Sequence, residues 1–142
     1  MPFPNVPLHQ GTRNRSVHWA DLYWFDFGAP ASNQYTIAGP RPCLVLSNVA
    51  TIHGSTLVVS PLTGAEHAIP TYSYHVLVTT SECPALDKDS VVKIDHLYNI
   101  HRADLIDQHY IATLPDTVMR RVYLQLANAL NFRAAFQVSA SP

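Results

Sequence analysis

The stretch ADLYWFDFG, from Ala20 to Gly28, is followed after a turn-rich segment by GPRPCLVLSN, from Gly39 to Asn48. The first stretch is rich in aromatic residues and the second contains the apolar run from Cys43 to Leu46, so each is typical of a β-strand, while the residues between them favour turns. Arg41 lies at the start of the second predicted strand, where Pro40 and Pro42 restrict the backbone on both sides. An arginine held stiffly beside a polar loop is placed to bind an anion such as a phosphate.

Length and composition set the broad class of the protein. A chain of 142 residues fits one domain whose core does not depend on disulfides or metals. Apolar residues make up 47% of the chain and charged residues 13%, which is typical of a compact globule and favours a surface partly covered by a partner. A net charge of −1 excludes a broadly basic nucleic-acid-binding surface, so any contact with RNA must be local.

The cysteines and the N-terminus indicate the compartment. Cys43 lies in an apolar run and Cys83 in a polar loop, and their spacing matches neither a zinc site nor a redox pair. We interpret Cys43 as a buried small hydrophobe in a reducing compartment. No segment resembles a signal peptide or a membrane span. The sequence therefore predicts a cytoplasmic protein with a flexible arm over residues 1–17 and a single domain over residues 18–136.

The apolar pattern predicts short strands followed by one helix. Pro115 suits the first turn of that helix, where a missing N–H costs little. Strands first and an amphipathic helix last predict a small α+β domain with a curled sheet or partial barrel. The predicted strands cover residues 22–27, 43–46, 56–62 and 74–79 and an interrupted strand from 89 towards 100, with a helical turn at 103–106 and the helix at 115–132.

Four pieces of this sequence, in this order, resemble the MazF/PemK family, the endoribonuclease toxins of type II toxin–antitoxin modules. Residues 20–24 resemble the family's opening strand, and residues 39–48 resemble its Arg-Pro strand. Residues 58–63 resemble the strand that ends in a catalytic threonine, and Asp89-Ser90-Val91-Val92 with Leu105 resembles its Asp-Ser-Val segment and short helix. The resemblance covers roughly residues 18 to 132.

The resemblance implies an SH3-like barrel with a C-terminal helix, which is the fold of the CcdB, MazF and PemK toxins. It also implies a homodimer, a cognate antitoxin with an acidic tail, and cleavage of single-stranded RNA, expected to be mRNA, without a metal or other cofactor. Arg41 and Thr63 fall at the positions that the family uses for catalysis. The positions implied to contact RNA are Ser32, Asn33, Gln34, Asp95 and His96.

Two of the implied contact segments depart from the family pattern. Asn33 stands where an acidic residue is common. The segment from Asp95 to Asn99 replaces a Glu-Gln pair followed by an arginine, and Tyr98 lies within it. Because a carboxylate and a cation are missing, the departures favour an altered efficiency and base preference, while the fold is unaffected.

Each candidate also has a structural alternative. Arg41 could form a salt bridge with a nearby carboxylate, and Thr63 could simply form a turn at the exit of its strand. His96 could transfer the proton that RNA cleavage requires, because histidine titrates near neutral pH, or it could be an exposed strand residue. His75 is expected in a surface or turn position. The spacing of His96 and His101 lacks a further convincing ligand, so no metal site is predicted.

The sequence is also compatible with a second function on the same fold. The chain could be a non-catalytic relative, or a gyrase-directed toxin of the CcdB kind, that acts by binding a protein. A gyrase-directed toxin of this kind usually has a tryptophan near the end of its C-terminal helix, whereas residues 136–142 contain none. Retention of Arg41 and Thr63 favours the ribonuclease, whereas Asn33 and Tyr98 favour a non-catalytic relative.

Overall fold

The computed structural model describes residues 16–29, 37–49, 54–67 and 74–132. Within these ranges the chain forms a curled antiparallel sheet and one C-terminal helix, which confirms the predicted α+β class. The greater part of the predicted N-terminal arm lies outside the described residues. The elements are β1 (Asp21–Asp26), β2 (Pro40–Val45), β3 (Thr56–Gly64), β4 (His75–Val78), β5 (Ser90–Lys93), β6 (Tyr98–His101), β7 (Tyr110–Thr113) and α1 (Asp116–Leu130).

The long strand β3 organises the sheet. The strand order is β4-β5-β3-β2-β1-β7, and β6 also pairs with β3. The first part of β3, Thr56–Val59, pairs with β6, and its last part, Leu62–Gly64, pairs with β5. β5 and β6 thus follow each other along β3, with residues 94–97 between them, which confirms the predicted interrupted strand from 89 towards 100. The chain turns at Ile94 and Asp95 because β5 and β6 bind different parts of β3.

The edge strand β7 was not predicted from the sequence. It has only four residues, Tyr110–Thr113, which is too short for a clear alternation of apolar and polar residues. It pairs antiparallel with β1. The Thr113 hydroxyl donates a 2.6 Å hydrogen bond to the Oδ1 atom of Asp21, a carboxylate that is fully buried. This polar contact ties the first strand of the sheet to the last.

Two hydrophobic clusters cover the two faces of the sheet, because neighbouring residues of a strand point to opposite faces. In β1, Leu22 belongs to one cluster and Tyr23 to the other. The Leu22 cluster packs under α1, which contributes Val118, Met119, Val122 and Leu126. The Tyr23 cluster contains Val17, Cys43, Val45, Leu57, Val59, Ile100 and Leu105.

Cys43 is completely buried in the Tyr23 cluster, as predicted. Burial raises the pKa of its thiol to about 12, so the thiol stays protonated and acts as a small apolar side chain. Cys83 is also buried and unbridged. Neither cysteine forms a disulfide.

Helix α1 begins at Asp116, directly after Pro115, and ends at Leu130, one or two residues inside the predicted limits. Asn131 adopts a left-handed conformation with φ of 54°, which ends the helix. The Arg121 guanidinium ties α1 to the edge of the sheet, because its Nη2 atom donates to the Leu77 carbonyl oxygen at 2.9 Å. Within the described ranges, no helix is long and apolar enough to cross a membrane.

Candidate functional site

Two prolines end the pairing of β2 with β3. The last paired residues on this side are Cys43 and Pro61. The N–H and carbonyl of Gly39 both bond towards β1, so the alternation of the strand directs the amide nitrogens of Pro40 and Pro42 towards β3. A proline has no N–H to donate. The ladder therefore stops after Cys43, and β2 and β3 can separate beyond it.

A cleft of about 290 Å³ lies beside the ends of β2 and β3 that are not paired with each other. Arg41 from β2 and Thr63 from β3 both line it, and the register of the two strands, extended by two residues, sets them opposite each other. The structure thus brings together the two residues for which the resemblance implies catalysis. Other residues that line the cleft are Trp24, Gly64, Asp87, Lys88 and Ser90.

The Arg41 side chain is half-buried and oriented by the backbone. Its Nε and Nη2 atoms donate to the Ala38 carbonyl oxygen at 3.2 and 2.7 Å, which leaves the donors of Nη1 for a ligand. No carboxylate in the described part of the chain forms an ion pair with Arg41, so the salt-bridge alternative is not what the structure contains there. Partial burial lowers the pKa of the guanidinium and nearby Tyr98 opposes this effect, but an arginine remains charged at neutral pH.

Thr63 lies inside a strand and not at a strand exit. The sequence prediction ended this strand at residue 62, but Thr63 pairs with Val91 of β5 and the strand continues to Gly64. Thr63 is therefore not a turn former. Its side chain is half-buried, and within the described ranges its hydroxyl has no hydrogen-bond partner. A hydroxyl fixed by a sheet on the wall of a cleft can donate to an oxygen of a bound anion.

Asp95 and His96 belong to a second polar cluster. The Nε2 atoms of His75 and His96 lie 3.9 and 3.7 Å from the two carboxylate oxygens of Asp95. The predicted surface or turn position of His75 was wrong, because His75 begins β4 and its side chain is 4% exposed. Neither Asp95 nor His96 lines the cleft that contains Arg41.

Burial controls the charge of this second cluster. It lowers the pKa of both His75 and His96, and Lys93 acts in the same direction, while the Asp95 carboxylate opposes the shift. Both imidazoles are therefore predominantly neutral near pH 7. No group of three or more histidine, cysteine or acidic side chains within the described ranges is placed to hold a metal ion.

Several candidate positions lie outside the described residues, and one residue of the cleft was not predicted from the sequence. The predicted RNA-contacting residues Ser32, Asn33 and Gln34 lie outside, as do residues 136–142, on which the gyrase alternative depends. The cation missed by sequence reasoning is Lys88, which lines the cleft. Two features of the sequence could have identified Lys88: it directly precedes Asp89-Ser90, and the chain has only two lysines.

Among the described residues, the curled sheet, the C-terminal helix α1 and the cleft lined by Arg41 and Thr63 define a known class of small toxin domain. The model of the family described as the PemK-like, MazF-like toxin of type II toxin-antitoxin system matches residues 19–130. The match spans most of the chain, and the chain belongs to this family. The resemblance stated from the sequence is thereby confirmed.

Solved structures share this fold. MazF from Deinococcus radiodurans has a TM-score of 0.63 and 23% identity, and the match covers 82% of this chain and 98% of that one. An endoribonuclease in complex with its cognate antitoxin from a Mycobacterial species has a TM-score of 0.59 and 24% identity, with 82% and 94% covered. The Mycobacterium tuberculosis toxin MazF-mt6 has a TM-score of 0.54 and 23% identity, with 66% and 88% covered. No curated protein sequence matches the chain significantly.

Proposed function

We propose that this toxin is a metal-independent endoribonuclease that cleaves single-stranded RNA in the cleft between β2 and β3. The observation that supports this proposal most directly is the charge, orientation and position of the Arg41 side chain. Its charge is not neutralised by a carboxylate within the described residues, its orientation is fixed by Ala38, and it shares a cleft with Thr63. The family and the endoribonuclease relatives of the same fold agree with this activity.

The proposed reaction is an attack of the RNA 2′-oxygen on the adjacent phosphorus. The new bond joins the 2′-oxygen to phosphorus, the bond to the 5′-oxygen breaks, and the upstream product carries a 2′,3′-cyclic phosphate. The 2′-hydroxyl loses a proton and the 5′-oxygen gains one. Arg41 supplies donors for the non-bridging oxygens, where negative charge develops, and Thr63 donates to the same phosphate.

The polar residues outside the cleft are assigned to RNA binding. We propose that Asp95 and His96 contact RNA beyond the reacting phosphate, together with the loop residues Ser32, Asn33 and Gln34. His96 receives this role, rather than proton transfer, because it does not line the cleft of Arg41. A neutral imidazole can both donate and accept hydrogen bonds, which suits recognition of a base edge.

The proposed chemistry is tested with an RNA substrate and end-group analysis. Because arginine carries the charge stabilisation, cleavage should continue at the same rate in excess EDTA and leave a 2′,3′-cyclic phosphate. A matched substrate with a single 2′-deoxy sugar at the cleaved position should be inert, since it lacks the nucleophile. Chelator-sensitive cleavage, or cleavage of the deoxy substrate, would contradict the mechanism.

We further propose that the toxin is a cytoplasmic homodimer that is inhibited by a cognate antitoxin with an acidic tail. The family description includes the antitoxin, and one relative of this fold was solved with its own. The low charge content and the exposed side chains of Leu124, Leu130 and Phe132 on or beside α1 suit a covered surface. Sedimentation at micromolar concentration should give the mass of a dimer, and a monomer would contradict this proposal.

A further inference from the structure

Lys88 is a cation, beside Arg41, among the described residues that line the cleft. It lies in the segment before β5 and lines the cleft together with Thr63 and Ser90. The backbone around it is fixed, because Ser90 Oγ donates to the Lys88 carbonyl oxygen at 3.1 Å and the next carbonyl, of Asp89, accepts from Ala65 N–H at 2.9 Å. The backbone of Lys88 is thus held in place, while its long side chain lets the ammonium group move.

The contact that Lys88 makes in the structure is a weak one. Its Nζ atom lies 3.1 Å from Oε1 of Glu66, and the two side chains are 59% and 56% exposed. An ion pair with this exposure contributes little, because water screens the charges and two long side chains must be held in place. A phosphate entering the cleft can therefore replace the carboxylate as the partner of Lys88.

The Glu66 side chain folds back over the end of β3. A methyl group added to Gly64 would overlap the carboxylate of Glu66, so the absence of a side chain at Gly64 makes room for it. Gly64 directly follows Thr63 and lines the same cleft. The carboxylate consequently lies at the border of the site where the RNA phosphate would bind, and there it repels the phosphate and competes for Lys88.

We propose that Lys88 is a second phosphate-binding cation of this cleft and that Glu66 holds it in a resting ion pair which the RNA backbone must displace. This inference rests on the proposed function, because it takes single-stranded RNA as the ligand. Arg41 grips the reacting phosphate, whereas Lys88 contacts a neighbouring phosphate and adds affinity. Because a ligand must displace Glu66 from Lys88, weak or short anionic ligands bind less readily.

The first test measures binding of a randomised 2′-O-methyl oligoribonucleotide, which cannot be cleaved, at several salt concentrations. Loss of one phosphate contact on a single strand lowers the slope of log affinity against log salt by about 0.7. Lys88→Ala should show this lower slope and weaker binding. Arg120→Ala, which removes one cation from an exposed position of α1, is the matched control and should keep the slope of the unmodified protein.

The second test removes the competitor in two different ways. Glu66→Gln removes its charge, and Gly64→Ala displaces its carboxylate without a change in net charge. Both variants should bind the oligonucleotide about two- to fivefold more tightly, the size expected for an exposed ion pair. Asp104→Asn, with the same charge change at an exposed position outside the cleft, should not reach that gain. Thermal melting of each variant verifies folding.

The outcomes separate this inference from the proposed function. An unchanged slope for Lys88→Ala, or no gain in affinity for Glu66→Gln and Gly64→Ala, overturns the inference even if the protein cleaves RNA through Arg41. The predicted slope and gains in a protein that does not cleave RNA support the inference and overturn the catalytic proposal. Failure of the unmodified protein to bind the oligonucleotide overturns both.

Discussion

The two polar regions of this toxin, the cleft of Arg41 and the cluster around Asp95, differ in the charge that their side chains carry. In the cleft between β2 and β3, the Arg41 guanidinium bonds to a neutral backbone carbonyl and keeps its charge available. In the second cluster, His75 and His96 face the same carboxylate, that of Asp95, and burial lowers the pKa of both. The cleft therefore offers a positive charge to a phosphate, whereas the imidazoles of the second cluster are predominantly neutral near pH 7 and offer none.

This difference shows that the surroundings of a titratable or charged side chain, more than its residue type, determine whether it can attract an anion. A cation beside a carbonyl oxygen is oriented without being neutralised, so its attraction for an anion persists. An imidazole whose pKa is lowered by burial is neutral near pH 7, so it has no comparable attraction for an anion. Residue types alone would have made His96 look as suitable for catalysis as Arg41.

Among single substitutions in the two polar regions, Arg41→Ala should reduce cleavage most. Loss of one donor to the charge that develops in the transition state lowers the cleavage rate by about two to three orders of magnitude. Stability should fall by only about 1 kcal/mol, because the variant loses hydrogen bonds to one partly exposed carbonyl. Rates are measured on a fixed RNA under single-turnover conditions, and stability by urea denaturation.

Arg41→Lys is the control for charge without geometry. It should recover part of the lost rate, because an ammonium retains the charge but not the planar pair of donors. If Arg41→Ala instead unfolds the protein, and its folded fraction cleaves at the full rate, Arg41 has a structural role and the site lies elsewhere.

A smaller effect is expected from Thr63→Val, which keeps the shape of the side chain and removes its hydroxyl. A hydrogen bond to a charged phosphate contributes about 1.5–3 kcal/mol, so the rate should fall about ten- to a hundredfold. Thr63→Ser, which retains the hydroxyl, should recover most of the loss. An unaltered rate for Thr63→Val would restrict catalysis in the cleft to Arg41.

The smallest effect concerns the histidine cluster and the pH dependence of folding. Because the pKa values of His75 and His96 are lowered in the folded state, the unfolded chain binds more protons below about pH 6.5. The free energy of unfolding should therefore be greatest above that pH and fall as the solution is acidified. The neighbouring charges are Asp95, which opposes this trend, and Lys93, which reinforces it.

Urea denaturation at several pH values between 5 and 8 measures this dependence. His75→Gln should flatten it, whereas His101→Gln, at an exposed position of β6, serves as the control and should leave it close to that of the unmodified protein. An equally steep dependence in His75→Gln would assign the pH response to other groups. Cleavage by His75→Gln at constant pH should remain within a few-fold of normal, since His75 lies outside the cleft.

Much of the fold could be predicted because its signals are local. The apolar runs of β1, β2 and β3 and the spacing of Val118, Val122 and Leu126 in α1 are legible in a single sequence. The short strand β7 could not be predicted, because it is determined by its pairing with the distant strand β1. In the same way, Lys88 and Glu66 come from separate segments, and the pairing of β3 with β5 brings them together.

The prolines that flank Arg41 have a practical consequence for anyone who varies the solution conditions. A proline ring cannot gain a proton, exchange its partner for a salt ion or be reduced, so the separation of β2 from β3 rests on covalent structure. The mouth of the cleft should keep its form across buffers in which the ion pair of Lys88 weakens and the histidines titrate. A change in cleavage with pH or salt then reports on those side chains or on the RNA, and not on the opening itself.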